Sequence, residues 1–306
     1  MRCTKPNYAL ILYRELDTPF DTGKYHLKFL GGRPDISSMA ALINRYGEHS
    51  IISIPCGKCL ACRQNYTEDW SVRCMLEASL YTSNYFVTLT YDDISLLKAG
   101  RKDFQQFIDR LSYYCPGVRY FACFEKGETT KRKHFHAILF NCPLNDLQFI
   151  GRRDGNPVYN SKLIQHCWKK GLIDIGDVTP ASCQYVAGYV MKKLREHDDE
   201  EFIMMSLKPG IGAGYFMKHF ASIYDTDGVY LNGRKRHVPR YFDKLLDRIS
   251  PDMFREVKYK RISDIGDNVI SDLVIHGLKR HEELYDYMAR VNVGKMKDKL
   301  KKRSAV

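Results

Sequence analysis

An α+β fold, with helices packed on an antiparallel or mixed sheet, is predicted by three features of the chain. Apolar runs of strand period and helix period alternate along its middle, two neighbouring strands flank one basic loop, and turn residues stand at most changes of period. Taken in order, residues 1–69 read as short strands and loops, with apolar runs at 8–13 and 25–30 followed by Gly31-Gly32-Arg33-Pro34. A helix is predicted over 67–81, with Thr67 as N-cap and Trp70, Cys74, Leu76 and Leu80 on its apolar face. Tyr85–Tyr91 is a β-branched and aromatic strand. Phe104, Phe107, Ile108 and Leu111 give 102–114 helical spacing, ended by Cys115-Pro116-Gly117. Strands at 118–125 and 134–140 follow, then a helix at 160–170 ending at Gly171, a strand at 172–178 and a helix over 181–196. Beyond residue 200 the pattern weakens to a turn-rich loop at 208–214, a helix at 215–224, turns at Asp227-Gly228 and Asn232-Gly233, and a helical tail at 276–303. The organisation expected is a Cys-containing extension (1–69), a central α+β domain (70–225) and a basic, mostly helical extension (226–306).

The chain has 306 residues, enough for a sizeable core, and carries 48 Lys plus Arg against 36 Asp plus Glu, a formal charge of +12. A basic surface favours polyanions, and the 21 tyrosines and 15 phenylalanines suit stacking on unpaired bases, although most aromatics serve a core. No run reaches the roughly 18 apolar residues of a membrane helix. The ten cysteines are expected in a reducing cytoplasm, as thiols or metal ligands.

Residues 133–140 read Lys-His-Phe-His-Ala-Ile-Leu-Phe. On a strand His134 and His136 project to one side and Phe135 to the other, so two imidazoles about 7 Å apart along the chain can share one divalent ion. Glu125 ends the preceding strand. In a hairpin register that sets 125 opposite 134 it joins the histidines on one face, and a slip of one residue removes it. Two nitrogens and a carboxylate suit Mg²⁺ or Mn²⁺ with water retained, and also bind Zn²⁺. Taken singly, two histidines on a strand also arise by chance.

Gln184-Tyr185-Val186-Ala187-Gly188-Tyr189-Val190-Met191-Lys192-Lys193 stacks Tyr185 and Tyr189 at i and i+4 on one helix face, with the two lysines about one turn beyond. A phenol, with its ordinary pKa of about 10, is a poor nucleophile until a cation stabilises phenolate. An aromatic pair at this spacing is, taken singly, more often core. Cys56, Cys59 and Cys62 form C-x₂-C-x₂-C, a spacing that wraps three thiolates around one structural zinc; Cys3, His49 and Cys74 are each possible fourth ligands, and free thiols are the plain alternative. Tyr66 stands where a ferredoxin-type run needs its next cysteine. Lys126, Lys131, Arg132 and Lys133 crowd the loop beside the histidines, where they can hold phosphates or simply solvate a surface.

In order, the Phe86-Val-Thr-Leu-Thr90 strand, His-Phe-His and Tyr-x₃-Tyr-x₂-Lys together resemble the HUH endonuclease superfamily. Within it the chain is similar to replication initiators of small single-stranded DNA phages, the gokushovirus branch of the microviruses. The likeness extends to Cys56–Arg63, Lys208-Pro-Gly-Ile-Gly-Ala-Gly-Tyr215 and Pro239-Arg-Tyr-Phe-Asp-Lys244, about residues 50 to 245. It implies a five-stranded antiparallel sheet of ferredoxin-like or RNA-recognition-motif type, Glu125, His134 and His136 as metal ligands, and Tyr185 and Tyr189 as nucleophiles. Some relatives carry Lys where this chain has Gly188, which leaves Lys192 as the active-site lysine, with Lys193 beside it for DNA. The activity implied is rolling-circle initiation: nicking at a single-stranded origin, a 5′-phosphotyrosine, a 3′-OH primer and rejoining to a circle, in the cytoplasm of a bacterial host. The chain has no G-x₄-G-K-[ST] motif, so a host helicase and polymerase are expected partners. The competing readings are a relaxase or transposase of the same superfamily, and a non-enzymatic zinc-containing nucleic-acid-binding protein.

Overall fold

The computed structural model describes residues 3–12, 26–32, 34–46, 51–127, 131–193, 201–258 and 260–261. The tail expected to be helical at 276–303 therefore lies outside the described residues. The chain divides into two compact units, and of the described residues those up to Asn65 belong to the first and those from Tyr66 to the second.

The first unit is a three-stranded antiparallel sheet of β1 (Asn7–Leu12), β2 (His26–Gly31) and β3 (Ile51–Ile54), in the order β2-β1-β3. Between β2 and β3, α1 (Ile36–Tyr46) is capped by the Asp35 carboxylate, which accepts from the Ser38 backbone N–H at 2.8 Å. The next helix, α2 (Leu60–Ala78), begins seven residues before the expected cap at Thr67. The tight turn at Gly57 (φ +71°) releases the chain directly into Leu60-Ala61-Cys62, and Ala61 and Cys62 are already buried. Thr67 is an ordinary helix-interior residue.

The second unit is built on a seven-stranded sheet, not the five-stranded one expected. Its strands are β4 (Asn84–Thr90), β5 (Arg119–Lys126), β6 (Lys133–Phe140), β7 (Leu147–Arg153), β8 (Asn156–Ser161), β9 (Ile173–Asp177) and β10 (Phe202–Met205). Their order is β10-β5-β6-β4-β9-β8-β7, and every paired neighbour is antiparallel. The extra strands are the β7–β8 hairpin, which continues the sheet beyond β9. Its turn is Asp154-Gly155, both with positive φ (50° and 78°), the two-residue geometry that matches strand twist.

Alternation divides the sheet into two buried faces. On one, Phe124 and Phe135 pack with α4 (Arg101–Tyr114), which follows the short helix α3 (Asp93–Leu96), through Phe104, Phe107 and Leu111, and with α5 (Lys162–Trp168), through Ile164, Cys167 and Trp168. On the other, Phe121, Cys123, Ile138 and Phe140 pack with Trp70 and Cys74 of α2 and with Cys183, Val186 and Ala187 of α6 (Pro180–Lys193). The opposite side of α2 supplies Val72 and Leu76 to a third cluster, with Phe216 and Ile223 of α7 (Ala213–Asp225) and Phe242 and Leu246 of α8 (Arg240–Ile249). A helix buried on two sides must satisfy its polar groups internally. Arg73 is therefore layered between the Trp70 and Tyr241 rings and donates to the Ile211 carbonyl, while Glu77 accepts from Arg119 and from the Gly212 N–H. Among the described residues no helix is long and apolar enough to cross a membrane.

Two glycines give opposite expectations. A Cβ on Gly171 would lie 2.4 Å from the Thr90 carbonyl oxygen, which is itself fixed by the Trp168 indole N–H at 2.6 Å. A Cβ on Gly188, inside α6, would meet nothing within 4 Å. Gly171→Ala should therefore cost about 1–3 kcal/mol. Gly188→Ala should add about 0.5–1 kcal/mol by helix propensity alone. Chemical denaturation of the two variants beside the parent checks both signs.

Candidate metal centre

The β5/β6 pairing sets Glu125 opposite His134 and Cys123 opposite His136. Both histidines and Glu125 consequently leave the sheet on the α6 face, while Phe135 enters the aromatic core behind it. Glu125 Oε1 lies 2.7 Å from His134 Nε2 and 3.1 Å from His136 Nε2. One donor atom from each of the three lies within 4.8 Å of the other two. Glu125 is 3% exposed, and its second oxygen is buried with no hydrogen-bond partner among the described residues.

The outer nitrogens of the imidazoles fix what the inner ones offer. His134 Nδ1 lies 3.0 Å from the Arg132 carbonyl, which can only accept, so Nδ1 carries hydrogen. In neutral His134 the lone pair is then on Nε2, aimed at a carboxylate oxygen 2.7 Å away. Two acceptors at that distance require a positive charge between or upon them, either a proton on His134 or a metal cation. His136 Nδ1 is 3.0 Å from the Thr88 hydroxyl, directly across β4/β6, and the ring stacks on Phe86 at 5.6 Å. With the Thr88 oxygen accepting from Nδ1, His136 likewise presents the Nε2 lone pair.

The electrostatics divide the two rings. Burial acts to lower the pKa of His134, but the Glu125 carboxylate and the Arg132 carbonyl raise it above the ordinary imidazole value. Burial dominates at the more enclosed His136 and lowers it. Burial pushes Glu125 up, yet its contacts with the two imidazoles bring it below the usual carboxylate range. The donor set, the orphaned carboxylate oxygen and the demand for positive charge all fit a divalent cation held by Glu125, His134 and His136.

Tyr185 is brought to the same place. Its hydroxyl lies 3.4 Å from His136 Nε2, its ring meets Phe86 and His136 edge-on, and it remains 45% exposed. The backbone of α6 is helical through Tyr189 to Lys193, but the side chains of Tyr189, Lys192 and Lys193 lie outside the described residues. Lys126 and Lys133 are paired across the hairpin at the site's edge, and Lys131 is exposed at the turn. Arg132 is engaged elsewhere, on Asp93 at 2.7 Å and the Tyr91 carbonyl at 2.8 Å. Sequence reasoning missed Thr88 and Phe86 as partners of His136. Their signal was present in the period-two pattern of Phe86-Val-Thr88, but only the β4/β6 register places them.

A second group of ligating residues stands in the first unit. Cys3 joins Cys56, Cys59 and Cys62, with all four sulfurs within 4.8 Å. Cys74, considered as a fourth ligand, is instead buried in the core with Cys183, and His49 lies outside the described residues.

Comparison with known proteins identifies the family. Residues 84–194, from the start of β4 to just past α6, match a family model of replication-associated proteins of the ORF2 type. The chain is 37% identical over 224 residues to "Replication-associated protein ORF2" of Spiroplasma virus 4, covering 66% of this chain and 70% of that one. It is 32% identical over 232 residues to "Replication-associated protein VP4" of Bdellovibrio phage phiMH2K, covering 70% and 73%. To "Replication-associated protein ORF4" of Chlamydia phage 1 it is 27% identical over 217 residues, covering 64% and 54%. No solved structure matches the chain. The chain belongs to the family of replication-associated proteins of microvirus-type single-stranded DNA phages.

Thr88→Val should weaken Mn²⁺ binding by about 10–100-fold while Thr88→Ser retains most of it, because removal of an outer partner frees the ring it orients. Isothermal titration measures this directly. The same titration in buffers of different ionisation enthalpy should show proton release on binding, in an amount that grows as the pH is lowered. With the His134 pKa raised, affinity should fall as pH drops through and below its folded value and level off above it.

Proposed function

We propose that the chain is a rolling-circle replication initiator of HUH type, a metal-dependent nickase and strand-transferase acting on single-stranded origin DNA through tyrosine. The observation that carries the reading is the Tyr185 hydroxyl, 3.4 Å from a nitrogen of a buried two-histidine, one-carboxylate group. The names of the relatives support the replication role. The catalytic domain is taken as 70–225, flanked by a Cys-containing and a basic extension.

Glu125, His134 and His136 hold the ion, Mg²⁺ or Mn²⁺, which when bound supplies Lewis-acid polarisation of the scissile phosphate. The protein's own groups do the rest. Thr88, Phe86 and the Arg132 carbonyl keep both rings oriented, so no reorganisation is needed when the phosphate arrives. Lys126, Lys131 and Lys133 line the approach and hold flanking phosphates; Arg132 contributes only if it leaves Asp93. Lys192, one turn beyond Tyr189, is assigned the stabilisation of phenolate, and Lys193 a contact to DNA. The phenol oxygen of Tyr185 forms a bond to phosphorus as the bond to the 3′ oxygen breaks, its proton is lost, and the 3′ oxygen takes one up. The products are a 5′-phosphotyrosine and a 3′-OH that primes a host polymerase, with strand separation by a host helicase in the bacterial cytoplasm. Because one ester replaces another, the reaction is reversible. Tyr189, one helical turn along, performs the second cleavage, and the released 3′-OH attacks the first phosphotyrosine to close a circle.

Incubation with single-stranded origin DNA and Mn²⁺ should give a covalent protein–DNA adduct on denaturing gels. EDTA should prevent it, the double variant Tyr185→Phe/Tyr189→Phe should lack it, and His136→Ala should reduce it by at least an order of magnitude. An adduct that persists in the double variant, or is unchanged in His136→Ala, overturns the mechanism.

A further inference from the structure

The first unit carries a feature that the nicking reaction does not use. Cys3 lies four residues before β1, and Cys56, Cys59 and Cys62 run from the end of β3 into the first turn of α2. Four thiols from two segments more than fifty residues apart thus meet at one point, with every sulfur within 4.8 Å of the others. The Cys3 and Cys59 sulfurs are 3.7 Å apart. A tetrahedral zinc with bonds of about 2.3 Å places its sulfurs about 3.8 Å from one another, so this separation is already that of a shared ion.

The backbone is arranged to receive negative sulfur. The Cys56 N–H donates to Cys3 Sγ at 3.2 Å, and the Cys59 N–H to Cys56 Sγ at 3.3 Å. Gly57, with φ +71°, makes the turn that points both amides inward. Cys62 is buried, the other three are half-buried, and all are free thiols. Ala9, Leu10, Ala61 and Cys62 are buried in this unit, whereas Leu27 and Phe29 are 43% and 68% exposed.

We propose that Cys3, Cys56, Cys59 and Cys62 bind one structural Zn²⁺, with Cys3 as the fourth ligand, so that the ion ties the chain entering β1 to the turn that starts α2. All-thiolate tetrahedral ligation selects zinc over the hard cations suited to Glu125, His134 and His136. The site is closed, four protein ligands and no open position, so its role is to hold structure.

The test uses the full chain purified under reducing conditions without chelator, with metals measured by mass spectrometry. One zinc per chain is expected, and it should persist in the triple variant Glu125→Gln/His134→Ala/His136→Ala, which empties the other centre. Cys3→Ser should lose zinc to a competing chelator at least about 100-fold more readily, since loss of even an outer partner costs 10–100-fold. In case Cys3→Ser fails to fold, Co²⁺ substitution decides. The parent should show the charge-transfer absorption of four thiolates, and Cys3→His that of three. Absence of zinc, iron in its place, two disulfides, a cobalt spectrum of three or fewer thiolates in the parent, or zinc retention unchanged by Cys3→Ser would each overturn the proposal.

Discussion

The pairing of Glu125 with His134 across β5 and β6 is the constraint on which the site rests. Side-chain period is two, so a slip of one residue would send Glu125 into the layer occupied by Phe104, Phe124 and Phe135. An unpaired carboxylate there costs several kcal/mol, which is enough to exclude the slipped register. The packing enforces the same choice from both sides. Phe124 meets Phe135 at 4.6 Å on one face, and β10 sets Phe202 opposite Phe124, stacked at 4.9 Å. On the other face Trp70 stacks on Phe121 at 4.7 Å. The aromatic core thus fixes Glu125, His134 and His136 by fixing the register, with no contact between the two sets required.

The same strands supply the orientation of the rings. Thr88 is the residue opposite His136 on β4, so the register that joins β4 to β6 also delivers the hydroxyl to Nδ1. The Arg132 carbonyl does the equivalent for His134 from within the hairpin. These contacts leave one carboxylate and two inward nitrogens concentrated in a buried space, an arrangement of acceptors that is stable only around positive charge. The same carboxylate raises the pKa of His134. A cation held here and the raised basicity of this histidine would therefore have one origin, Glu125.

How much of this was legible in the sequence depended on range. The strands carrying Phe86, Glu125 and His134, and the helix carrying Tyr185, were read to within a few residues, because their apolar periods are long and both faces are packed. The three ligands were legible as residues, yet their meeting rests on a register that no local pattern fixes. The sheet's breadth was missed. Leu147–Arg153 alternates poorly, with Phe149 and Ile150 exposed, and only the Asp154-Gly155 turn announced a hairpin. The start of α2 was misplaced because Thr67 is a good cap by composition, while the true start is set by the turn through Gly57. Cys3 could be offered as a ligand but not chosen over His49 or Cys74, since its nearness to Cys56 is a tertiary fact.

On the proposed reading, the placement of Tyr185 reconciles two demands that oppose one another. Metal ligands must be held rigidly, and strands buried on both faces do this. A nucleophile that receives a DNA strand must instead be reachable. Within α6, Cys183, Val186 and Ala187 are buried against the sheet, so residue 185 falls at the margin of the packed face, its ring against His136 and its edge open. Position 189 follows one turn later along the helix, with Gly188 between them. Helix period thus supplies what the strands cannot, a phenol that touches the buried centre from the outside.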